Sequence, residues 1–103
     1  MATQLTTPMF NPPHPGEFIT ETYLEPFGMT GRTLASRLAV SPSTVARILN
    51  GSSRVTPEMA LRLAKVLGRS AESWLAMQDV YDLWNARKSL NVNELEAVEF
   101  AVV

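Results

Sequence analysis

Apolar residues recur along this chain at three- and four-residue intervals, in short runs separated by turn formers. Five runs stand out. Phe18, Ile19, Tyr23 and Leu24 form an apolar face behind His14-Pro15-Gly16-Glu17, where proline suits the first helical position and Glu17 the positive helix start. Pro26 and Gly28 end that run. Thr30 caps a second helix with Leu34, Ala35 and Leu38 inward. Ser41, followed by Pro42, caps a third with Val45, Ile48 and Leu49 inward, and Asn50-Gly51 closes it. Thr56-Pro57-Glu58 repeats the cap-proline-acid start for a fourth, whose face is Met59, Ala60, Leu63, Ala64 and Leu67, with Gly68 as its stop. Ser70 or Ala71 opens a fifth, running through Trp74 to the region of Arg87. The pattern predicts an all-α domain of five helices over residues 14–87, with no convincing central strand. Residues 1–13, with Pro8, Pro12 and Pro13, are expected to be a flexible arm. Residues 88–103 are a short C-terminal extension, in which "NELEAVEFAVV" admits a helix or, at its end, an alternating strand.

The second and third runs are joined by a tight turn, the helix-turn-helix layout. Ala35 is small where the two helices must cross, and Leu34, Leu38, Val40, Val45 and Ile48 make one shared core. Such a unit places the start of its second helix in the DNA major groove, about 12 Å wide in B-form DNA. The side chains at that start are Ser41, Ser43, Thr44 and Arg47. Arginine can donate bidentately to a guanine edge or to a phosphate. Arg32 and Thr33 open the preceding helix, where amides and side chains can hold a phosphate. Ser52, Ser53 and Arg54 follow the recognition helix and would reach the flanking backbone. In a protein that binds nothing, Ser41 would be only a cap and Arg37 only a solvated charge. Ala39 sits where this turn usually has glycine, and a positive φ costs a non-glycine residue about 1 kcal/mol. Either the turn is built differently or the fold carries that cost.

Net charge is −1, but its distribution is lopsided. Seven basic residues (Arg32, Arg37, Arg47, Arg54, Arg62, Lys65, Arg69) and a single acid, Glu58, lie between Gly31 and Arg69. That predicts a basic patch facing one partner and acidic elements elsewhere. The acids gather in helix one (Glu17, Glu21, Glu25) and near the C-terminus (Glu94, Glu96, Glu99). In helix five, Trp74, Met77, Tyr81 and Trp84 form a stripe, while Leu75, Val80 and Leu83 point to other sides. A helix apolar most of the way round is buried on two sides. The expectation is a dimer interface at Trp74, Met77, Tyr81 and Trp84, setting two recognition helices about 34 Å apart as a palindrome requires. The 103 residues suit one small domain. No cysteine is present, and His14 is the only histidine, so neither a usual metal site nor a cofactor is expected. No glycine-rich phosphate loop or nucleophile–base set argues for an enzyme. With no transmembrane span and no secretory layout at the N-terminus, a cytoplasmic, nucleoid-associated protein is expected.

"HPGE", "LASRLAVSPSTVARILNG", "VTPEMALRLAKVLG" and "SAESWLAMQDVYDL" follow one another in order. Together, over about residues 12–87, they resemble the HigA-type antitoxins, also called virulence-associated protein I, within the Xre/λ-repressor-like helix-turn-helix superfamily. The resemblance implies a λ-repressor-like fold and a homodimeric repressor that binds a palindromic operator before its own operon. It also implies a partner, a HigB-type toxin of the RelE-like, mRNA-cleaving kind, which the protein neutralises. The DNA contacts it implies are Arg32, Thr33, Ser41, Ser43, Thr44 and Arg47, extended to Asn50, Ser52 and Arg54. A ribonuclease toxin must be basic to hold RNA, so the acidic ends offer it a surface. The N-terminal arm, with Met9 and Phe10, is a second candidate. Two other readings share these residues: a free-standing phage-type repressor with no toxin, and a toxin-binding protein that has lost operator affinity.

Overall fold

The structure, a computed structural model, describes residues 11–101. The expected arm therefore lies outside the described residues except for its last three, which lead into the first helix, with Pro12 buried. Helix α1 spans Pro15–Ile19 and continues as a π-helical segment over Thr20–Leu24. Then follow α2 (Gly31–Leu38), α3 (Pro42–Leu49), α4 (Pro57–Leu67) and α5 (Ala71–Ser89). A 3-10 turn at Val92–Glu94 is the last regular element, and no strand occurs among the described residues. The C-terminal extension is neither of the two forms its sequence admits. It runs on from that turn as an exposed irregular segment.

Every helix begins with a side chain that satisfies an amide the helix cannot. Thr30, Ser41, Thr56 and Ser70 each accept from the amide three residues on, at 3.0 to 3.2 Å. α1 starts differently: the His14 imidazole Nδ1 accepts from the Gly16 amide at 2.9 Å. Proline follows the cap in α1, α3 and α4, where its fixed φ is already helical and no donor is lost.

The inward faces converge on one core. Leu34, Ala35 and Leu38 from α2 meet Val45 and Ile48 from α3, Met59, Ala60 and Leu63 from α4, and Trp74 from α5, with Ile19 and Leu24 closing one side. α2 packs on α3 and α4, α4 on α5, and α1 lies against both α3 and α5. Gly16 makes the α1–α3 approach close: a Cβ there would land on the Ile48 carbonyl oxygen, 2.8 Å from the Leu49 Cα. α3 is thus held between α1 and α2.

Candidate nucleic-acid interface

The turn between α2 and α3 is built on a left-handed residue. Ala39 has φ 60° and ψ 43°. Its amide donates to Ser36 at 3.2 Å, and the Val40 amide donates to Ala35 at 3.0 Å. This pair of bonds is the Schellman closure, which satisfies carbonyls the helix end leaves open. The usual glycine is therefore replaced without a change of turn, and the fold carries the cost. A second support comes from α4. Arg62 donates to the Leu38 carbonyl at 2.7 Å and lies 3.5 Å from that of Ala39, while Glu58 one turn back fixes the guanidinium at 2.9 Å.

α3 presents its polar side from this clasped turn. Ser43 and Arg47 are exposed and four residues apart, on one face; Thr44 is half-buried beside them. Ser41 is the cap: its Oγ takes the Thr44 amide and lies 2.8 Å from the Thr44 hydroxyl and 3.1 Å from that of Ser43. At the start of α2, Arg32 and Thr33 are exposed, and the Thr30 cap uses the Thr33 amide. The amides of Gly31 and Arg32 are left without an intrahelical acceptor. Among the described residues no carboxylate lies within ion-pair distance of Arg32, Arg37 or Arg47.

The loop after α3 is shaped from within. Asn50 Oδ1 accepts from the Ser52 amide at 3.0 Å and from its hydroxyl at 2.7 Å, and the Ser52 and Ser53 amides both donate to the Arg47 carbonyl. Asn50 Oδ1 and the Ser52 hydroxyl are thus engaged within the loop. Arg54 is engaged too. Its guanidinium donates to Asp82 Oδ2 at 2.7 Å, with Asp79 at 3.8 Å.

Sequence reasoning missed what lies behind Arg54. Val55 is fully buried, and its amide donates to the Oε1 of Gln78, itself buried, at 2.7 Å. The Gln78 amide nitrogen donates in turn to Asp82 Oδ1 at 3.0 Å. Val55, Gln78, Asp82 and Arg54 therefore form one chain of hydrogen bonds tying the loop to α5. Partial burial works to raise the Asp82 carboxyl, but hydrogen bonds from Arg54 and Gln78 and the Arg54 charge together hold it below its ordinary value. His14 borders this chain. Burial lowers its imidazole below the ordinary value, which a backbone hydrogen bond with Ser53 and the carboxylates of Asp82 and Glu17 only partly offset. Its ring meets Tyr81 edge-on, 4.9 Å between centroids. A signal existed: Trp74, Gln78 and Asp82 occupy one i, i+4, i+8 row, which places polar groups in line with a buried indole.

The expected α5 stripe needs correction at Trp74. That side chain is 0% exposed, packed against Phe18 and Tyr23, with its indole N–H on the Gly68 carbonyl at 2.9 Å. It has no surface left for a partner. Met77, Tyr81 and Trp84 keep part of theirs, and the Lys88 ammonium lies 5.9 Å from the Trp84 ring centroid. The large apolar side chains that α5 leaves in solvent are Val80 and Leu83, the latter 51% exposed. No described helix is long and apolar enough to cross a membrane.

The helix-turn-helix family profile matches residues 21–74. Virulence-associated protein I of Dichelobacter nodosus is 43% identical over 82 residues, covering 77% of this chain and 76% of the relative. The chain belongs to the HigA-type, virulence-associated protein I family of helix-turn-helix proteins. Solved structures agree. An addiction module antidote protein of a HigA family from Coxiella burnetii superposes with a TM-score of 0.81 at 36% identity, covering 87% of this chain and all of the other. Pseudomonas aeruginosa antitoxin HigA, solved with the higBA promoter, gives a TM-score of 0.77 at 31% identity over 85% of this chain and 96% of that one. The expected all-α, five-helix architecture is thus that of HigA-family antidote proteins.

Proposed function

We propose that this chain is the antitoxin of a type II toxin–antitoxin pair and represses its own operon by binding an operator as a homodimer. The observation that carries the DNA half is α3: a capped helix clamped on α1 and α2, with Ser43 and Arg47 exposed on one face and no acid beside them. In this reading Ser43, Thr44 and Arg47 face base edges. Arg32, Thr33 and the open amides of α2 hold a phosphate, and Arg54 reaches the backbone by exchanging Asp82 for a phosphate oxygen. A promoter complex of a relative that shares the fold over most of its length supports this. Val80 and Leu83, with the open parts of Tyr81 and Trp84, support pairing through α5. The toxin half is a HigB-type ribonuclease, and its support is family membership together with the acidic residues outside the helix-turn-helix.

The test is a gel-shift titration of the whole chain against its own upstream region and a scrambled duplex, at two salt concentrations. Tight binding to the upstream DNA alone, weakening steeply with salt, is expected. Arg47→Ala should weaken that binding by about 1–3 kcal/mol if the side chain reads a base. Equal losses on both duplexes would make it a phosphate contact, and binding to neither would remove the repressor role. For the toxin, the neighbouring open reading frame is expressed alone and with this chain. Growth arrest relieved by this chain is expected; no arrest would favour a free-standing repressor.

A further inference from the structure

Seven basic residues lie between Gly31 and Arg69, and charge alone would assign all of them to phosphate. Arg62 is built into the fold instead. It belongs to α4, outside the helix-turn-helix unit, and its side chain is only 35% exposed. One guanidinium nitrogen donates to the Leu38 carbonyl at 2.7 Å, and the other donates to Glu58 at 2.9 Å. Both ends of the fork are therefore engaged by the protein, and the Glu58 carboxylate balances the charge.

The Leu38 carbonyl lacks the donor a helix would give it. Leu38 is the last residue of α2, and in a continuing helix its carbonyl would accept from the amide four residues on. That position is Pro42, which has no amide hydrogen. The Schellman bonds end on Ala35 and Ser36 and leave Leu38 aside. Leu38 is 3% exposed, so water is a poor substitute. The proline that starts α3 abruptly thus orphans the carbonyl before the turn, and a third helix supplies the donor.

We infer that Arg62 is a positioning residue for operator recognition: it holds the end of α2 and so fixes the angle at which α3 leaves the turn. This rests on the operator-binding reading above. In that reading the start of α2 holds a phosphate while Ser43 and Arg47 of α3 face base edges, so the two helices must keep one relation. Only Ala39, Val40 and Ser41 join them, and Ala39 sits at φ 60°. Arg62 ties the front of this link to α4, whose Met59, Ala60 and Leu63 are anchored in the core.

Salt dependence separates a positioning residue from a phosphate contact. Arg62→Gln and Arg32→Gln are titrated against the operator and a scrambled duplex over a series of salt concentrations. Arg62→Gln should weaken operator binding roughly tenfold or more, the loss expected of one charge-assisted hydrogen bond, with scrambled binding and the salt slope nearly unchanged. Arg32→Gln should weaken both duplexes and lower the slope by about one. Urea unfolding of each variant shows that the chain assayed is folded. Should Arg62→Gln not fold, Arg62→Lys carries the test, since it keeps the charge but not the fork. It should lose operator affinity at an unchanged slope, whereas full operator affinity would overturn the proposal. So would equal losses on both duplexes with a slope lower by one for Arg62→Gln, which would return Arg62 to the phosphate contacts. A variant that is less stable yet binds operator as tightly as the parent would leave Arg62 a purely structural role and also overturn it. Failure of the parent chain to prefer its operator would remove the operator reading itself, and the inference with it.

Discussion

Replacing Ala39 by glycine should stabilise this protein, which is the reverse of what glycine does inside a helix. Ala39 holds φ 60° and ψ 43°, a conformation that costs a residue with a Cβ about 1–2 kcal/mol. Glycine removes that cost but adds about 0.5–1 kcal/mol of unfolded-state entropy. The difference is a gain of about 0.5–1 kcal/mol, or roughly 2–8 °C in Tm for a domain of this size. The supports around the turn should survive the change, because the Schellman bonds are made by backbone amides and Arg62 reaches the Leu38 carbonyl rather than the Ala39 side chain. The series continues with Ala39→Val, whose branched Cβ should cost about 1 kcal/mol or more relative to alanine. Urea unfolding followed by far-UV circular dichroism gives all three values. The expected order is glycine, alanine, valine. If Ala39→Gly lowers the midpoint, residue 39 is not left-handed in solution and this account of the turn is wrong.

Gly16→Ala should cost at least about 2 kcal/mol in the same assay, because the added methyl meets the backbone of Ile48 and Leu49, which no rotamer change can relieve. Gly28→Ala, in open space at φ 64°, should cost only about 1 kcal/mol; equal losses would show that α1 does not approach α3 so closely. Because the proposed complex has Arg54 leave Asp82 for a phosphate, Arg54→Gln should lower the salt dependence of operator binding by about one unit. An unchanged slope in gel-shift titrations would place Arg54 off the DNA. His14 sets a pH dependence. Its folded value is lowered, so between that value and about 6.5 the unfolded chain binds the extra proton. Its contribution to stability is present above about pH 6.5 and is lost as pH falls below it. Urea midpoints from pH 7.5 to 5.5 should fall for the parent and fall less for His14→Asn; parallel curves would exclude His14 as the cause.

The helix starts were legible because each is a local device: Thr30, Ser41, Thr56 and Ser70 with the prolines that follow need only their own helix to act. Apolar periodicity likewise marked α2, α3 and α4, whose inward residues are those of the core. What was hidden is long-range. Arg62 and Arg54 look like two more cations of a basic patch, yet one clasps the end of α2 and the other is held by α5, 24 and 28 residues away in sequence. The sequence places Trp74 in the dimer stripe because α5 is apolar on several sides, and periodicity cannot say which side the domain claims first. Gln78 belongs to a quoted motif but received no role, since its partner, the Val55 amide, sits in a loop without a pattern of its own.

The Val55–Gln78–Asp82–Arg54 chain has a mechanical consequence. Its buried Val55–Gln78 bond ties the loop after α3 to α5 and does not depend on Arg54 keeping Asp82, so in the proposed complex the loop would follow α5. In the proposed α5-paired dimer, the angle between the two α5 helices would then set the distance between half-sites. A protein that wedges or squeezes the α5 pair would change the spacing presented to DNA, and so the choice of operator, without touching a single base-reading side chain.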